Sequence, residues 1–121
     1  MIKSHKDLRV WQRAMDLVVE SYRLAKRLPT SETYALASQI RRAAVSVPAN
    51  IAEGHGRDHL GDYLHSLSVA NGSLMELETH FSIAVRLCYL KPVELEPAMV
   101  PVDEVGRMLS GLTKKLKDVR S

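Results

Sequence analysis

The chain has 121 residues, 45% hydrophobic and 26% charged, an ordinary balance for a soluble globular protein and enough length to bury a core without staples. Its single cysteine excludes an internal disulfide, no CxxC or Cys/His ligand spacing occurs, and no apolar run of about 18 residues or continuous apolar leader exists, so a reducing cytoplasm without membrane span or secretory signal is expected. The net charge of +3 hides a division: ten Lys/Arg against five Asp/Glu in residues 1–57, two against six in 58–100, and five against three in 101–121, a pattern open to attraction within one bundle, between subunits, or toward a polyanion.

Residues 8–28 place Leu8, Trp11, Met15, Val18, Tyr22 and Ala25 at alternating steps of three and four, which predicts a helix. A second apolar line, Val10, Ala14, Leu17, Leu24 and Leu28, lies about 100° away. Together the two lines span more than half the circumference. That breadth predicts either a deeply inserted core helix or a helix one of whose two lines seals a subunit interface. Arg9, Arg13, Asp16, Glu20, Arg23 and Arg27 take the polar side. Pro29 ends the helix, and Thr30 or Ser31 is the expected cap of the next, with Glu32 in its first turn.

A second helix is predicted over 32–54, with Leu36, Ile40, Ala43 or Ala44, Val47 and Ile51 as its apolar line and a kink at Pro48. Along another face Gln39, Arg42, Ser46, Asn50, Glu53 and Arg57 recur every three or four residues and draw one polar stripe. Ser46 and Asn50 suit a tight contact between helices, and Arg42 is expected to pair with Glu78 and fix register. A subunit contact and a direct RNA contact are the other readings of the stripe.

Gly54-His55-Gly56 is expected to break the helix, with Gly54 in a left-handed cap and Asp58 capping the third. Leu60, Tyr63, Leu67, Ala70, Leu74, Leu77, Phe81, Ala84 and Cys88 then predict a helix over 59–89, in which Gly72 implies close approach by another backbone. Pro92, Pro97 and Pro101 leave room for at most a short turn before a last helix over 101–119, whose seam is Val102, Val105, Leu109, Leu112, Leu116 and Val119. Residues 1–121 are therefore expected to form one all-α domain, an up-down-up-down four-helix bundle packed near 20°.

Chemistry is harder to find. His55, His59, Asp58 and Asp62 crowd one turn, but across a glycine break they do not reproduce the i, i+4 face of a metal-binding helix. Cys88 falls on the core seam, where a thiol acts as a small hydrophobe. No phosphate-cradling loop or GxSxG elbow occurs, so no catalytic, cofactor or metal site is expected. The available phosphate donors are Arg9, Arg13, Arg23, Lys26, Arg27, Arg41, Lys114, Lys115 and Lys117, which suit contact without sequence choice. Aromatic residues are few and mostly at core spacing, and no RNA-reading motif is present.

Three segments, Asp7 to Leu17, Ser38 to Arg57 and Leu67 to His80, resemble in order and spacing the four-helix bundle proteins named for 23S ribosomal RNA intervening sequences, in which some bacterial members are encoded. His55 and Gly61 are mild departures from the family pattern. The resemblance implies a left-handed cytoplasmic bundle without enzymatic activity, similar to homologues that assemble as ring-shaped homopentamers. It also implies kinship with accessory proteins of diversity-generating retroelements, which bind nucleic acid and a reverse transcriptase through a basic surface. The family name records gene location and not a ribosomal role. The expected function is a non-enzymatic oligomeric scaffold or accessory that contacts structured RNA, and the alternative is a module that docks a partner helix without nucleic acid.

Overall fold

Ser4 sets the entry to the bundle. Its hydroxyl accepts from the Lys6 N–H at 3.2 Å, and Asp7 returns to accept from the Ser4 N–H at 3.1 Å, so a capping box closes a 3₁₀ turn at His5–Asp7. The structure, a computed structural model, describes residues 2–120 and forms four helices, with no strand among the described residues. These are α1 (Arg9–Ala25), α2 (Leu36–His55), α3 (Leu60–Arg86) and α4 (Pro92–Arg120). Each helix packs on two others, and the diagonal pairs α1/α3 and α2/α4 do not meet among the described residues. Short antiparallel connections between neighbours give the up-down-up-down bundle.

The core is built by one stripe from each helix. Leu17, Ile40, Ile51, Leu67, Leu74, Leu77, Phe81, Val102 and Leu109 are its large, almost fully buried side chains. On α1 the line through Val10, Ala14, Leu17 and Leu24 is the one that faces inward. The other line is split: Leu8, Trp11 and Val18 pack half-buried against the core, while Met15 and Tyr22 remain about 40% exposed, at 41% and 40%.

Several local expectations are corrected. Helix α2 begins at Leu36, because residues 30–32 close a separate 3₁₀ turn, and neither Thr30 nor Ser31 caps it. Glu32 does that work from before the helix, accepting from the Leu36 N–H at 3.1 Å and from the Tyr89 hydroxyl at 2.9 Å. Asp58 does not cap α3, whose N-cap is His59 without a side-chain bond. Helix α2 runs through Pro48 and also through Gly54, which is not left-handed. Gly54 is needed for closeness: a Cβ there would lie 2.7 Å from the Ser66 Cβ and 3.0 Å from the Tyr63 ring. Gly72 is the reverse case, since an added Cβ would meet nothing within 4 Å.

The two ends around residue 88 also differ from the periodic reading. Helix α3 stops at Arg86, and Cys88 turns out to solvent with φ at 63°, in the left-handed region. The Tyr89 N–H reaches the Ala84 carbonyl and the Cys88 N–H reaches Val85, both at 2.9 Å, which is a Schellman closure. Helix α4 then starts at Pro92, nine residues before the expected Pro101. Pro92 sits where a missing N–H costs nothing, and Glu94 accepts from the Lys91 N–H at 2.8 Å. Pro97 and Pro101 remove only the bonds to Val93 and Pro97, and burial of Ala98, Pro101 and Val102 holds the segment helical.

Candidate functional site

The polar stripe of α2 divides into a half-buried part and a wet part. Ser46 Oγ lies 2.8 Å from Ser73 Oγ on α3, and Asn50 Nδ2 donates to the Ser46 carbonyl at 2.8 Å and to its hydroxyl at 3.0 Å. This small cluster satisfies polar groups where α2 and α3 meet, and it fixes their register. Gln39 and Arg42 are exposed, and Glu53 and Arg57 form a surface pair at 2.6 Å. Among the described residues Arg42 forms no ion pair with Glu78. The two face different grooves: Arg42 borders a hollow with Tyr22, Arg41 and Val45, while Glu78 borders α4 beside Asp103 and Arg107.

The nine candidate phosphate donors also divide. Arg13 is bound twice to Glu104 on α4, at 2.6 and 3.2 Å, and once to Asp16 at 2.9 Å. Those hydrogen bonds push the Arg13 guanidinium further from deprotonation and hold the Glu104 carboxyl below its ordinary range. Arg27 pairs with Glu94, whose carboxyl is held down first by the Lys91 N–H and then by Arg27. Arg23 chelates Glu20 at 3.0 Å, and Arg41 donates to the Thr33 carbonyl at 3.0 Å. Arg9, Lys26, Lys114, Lys115 and Lys117 are exposed and carry no ion pair among the described residues.

Position sorts these free cations further. Lys26 lies at the end of α1, beside Val18, Val19 and Tyr22 in an open hollow. Arg9 starts α1 where it meets Met108 and Leu112 of the antiparallel α4, so it shares an end of the bundle with the three lysines of α4. A groove of about 530 Å³ between α3 and α4 opens at that same end, bordered by Ser68, Asn71, Ser110, Thr113, Lys114 and Lys117. Those neutral side chains were not singled out by sequence reasoning, although Ser68/Asn71 and Ser110/Thr113/Lys117 do recur at helical spacing.

Two further features bear on function. Met15, Val18, Val19 and Tyr22 form an apolar strip along the outside of α1, with Val45 exposed on the neighbouring α2. Near the α2–α3 turn His55 Nδ1 lies 3.4 Å from the Tyr63 hydroxyl and the rings meet edge to face, with burial pushing the Tyr63 phenol up. Among the described residues no three His, Cys, Asp or Glu side chains converge as a ligand set, and no helix is long and apolar enough to cross a membrane.

Against this geometry, the family model described as 23S rRNA-intervening sequence protein matches residues 6–111. The chain belongs to that family. The match contains all three segments that carried the resemblance, together with the Ser46–Ser73–Asn50 cluster and the Arg13–Glu104 pair. It stops short of Thr113, Lys114, Lys115 and Lys117, so the family model does not span the lysine end of α4. No curated protein matches the chain.

Proposed function

We propose that this family member is a non-enzymatic, cytoplasmic scaffold or accessory protein that assembles with copies of itself, as a homopentamer, and contacts structured RNA. The observation that carries the reading is the end of the bundle where Arg9 on α1 and Lys114, Lys115 and Lys117 on α4 stand exposed and form no ion pair among the described residues. Cations held in ion pairs, such as Arg13 and Arg27, would have to exchange a carboxylate for a phosphate; these four would not. Single contacts of this kind are weak, and repetition around an assembly multiplies them. The strip of Met15, Val18, Val19 and Tyr22 is the surface that supports assembly, being wider than the core needs.

Filter binding of a structured RNA hairpin tests the reading. Retention should be clear near 50 mM salt and fall steeply by about 200 mM, since phosphate contacts release counterions. No retention, or retention indifferent to salt, contradicts it. The same apolar strip would serve the second reading, a module that docks a partner helix; one stoichiometric protein partner with no co-purifying RNA would favour that. Stoichiometric metal in the untagged protein would favour a metal-dependent enzyme over both.

A further inference from the structure

We infer that the groove between the first half of α3 and the last turns of α4 seats the phosphate backbone of single-stranded RNA, with Lys114 and Lys117 supplying charge and Ser68, Asn71, Ser110 and Thr113 supplying neutral hydrogen bonds. The inference rests on the RNA reading above and assigns to one place on the molecule the unpaired stretch, a loop or an end, of such a structured RNA.

The contrast between the two flanks of α3 motivates it. Toward α2, small polar side chains are consumed in the interface, as Ser46, Ser73 and Asn50 bond one another. Toward α4, the two serines, the asparagine and the threonine border an open space, and their side chains make no hydrogen bond among the described residues. Ser, Thr, Asn and Lys are the side-chain types that contact phosphate and sugar oxygens. The floor beneath them is apolar and buried, made by Leu64, Leu67 and Leu109 at 9%, 1% and 2% exposure, and it suits ribose carbons. No aromatic side chain borders the groove, so bases have no stacking platform and recognition is by backbone, tolerant of sequence. Asp118 also borders the groove and opposes the lysines, which makes a single seat weak and best read at low salt.

Fluorescence anisotropy with a labelled oligouridylate tests the seat, with log K followed against log salt from about 20 to 200 mM. Each phosphate neutralised on a single strand contributes about 0.7 to the slope, so Lys114→Gln/Lys117→Gln should reduce it by about 1.4. Ser68→Ala/Asn71→Ala should weaken binding at an unchanged slope, and Arg86→Gln, exposed at the far end of α3, should alter neither. Circular dichroism checks that each variant keeps its helices. Wild-type affinity and slope in both double variants would overturn the groove and leave the RNA reading standing. Binding of the hairpin but not of oligouridylate would overturn the single-strand seat, and binding of neither would overturn both.

Discussion

Cys88 holds a backbone conformation that its side chain disfavours. At φ 63° it occupies the position of the Schellman closure that glycine usually takes, and a left-handed residue with a Cβ is disfavoured by about 1–2 kcal/mol. Cys88→Gly should therefore raise stability by about 1 kcal/mol, read as a higher urea midpoint at constant slope; a lower midpoint would show that the thiol makes a contact worth more than the strain. The glycines of α2 and α3 predict opposite signs. Gly72→Ala, into open space, should stabilise by up to about 1 kcal/mol, whereas Gly54→Ala drives a Cβ against Ser66 and Tyr63 and should lower the midpoint. Equal effects at the two sites would contradict the close α2–α3 approach. None of this was legible in the residue types. Gly54 looked like a helix end and Gly72 like a contact, because composition marks a glycine without saying what lies above its Cα.

Between elements, the ties that matter electrostatically run to α4 from α1 and from the turn that follows α1. Arg13 holds the Glu104 carboxyl below its ordinary value of 4.5, and the Lys91 N–H and Arg27 do the same for Glu94. A carboxyl lowered in the folded chain contributes stability that is fully present above its unfolded value and is lost as pH falls through the folded one. The melting temperature should accordingly drop below about pH 4.5, and Glu104→Gln should remove part of that drop while leaving the profile above it parallel to wild type. A Glu104→Gln profile parallel to wild type below pH 4.5 as well would contradict the assignment. Helix seams were readable because burial enforces a three–four period, and α1 to α3 lie close to where that period puts them. The start of α4 was not, since each proline taken alone argues against a helix. Pro92 is tolerated by position, and Pro97 and Pro101 by the packing of Ala98 and Val102, which is tertiary information.

For the molecule as a whole, the fold and family were carried by the second helix and its neighbours, and the candidate site was legible only as a set of charges. Of nine basic residues read from the sequence, Arg13, Arg23, Arg27 and Arg41 are committed inside the protein. Their partners Glu104 and Glu94 lie 91 and 67 residues away in two cases, beyond any local pattern. The polar stripe of α2 identified a helix contact at Ser46 and Asn50, but the expected partner of Arg42 was misplaced because Glu78 faces α4. In the proposed function, what joins the exposed lysine end to a role is assembly, which would repeat a weak RNA contact and give the apolar strip of α1 a covering surface. Multi-angle light scattering at micromolar concentration tests that link directly. A single species near five times the 13.5 kDa chain mass is expected, and a stable species at 13.5 kDa would rule out the homopentamer.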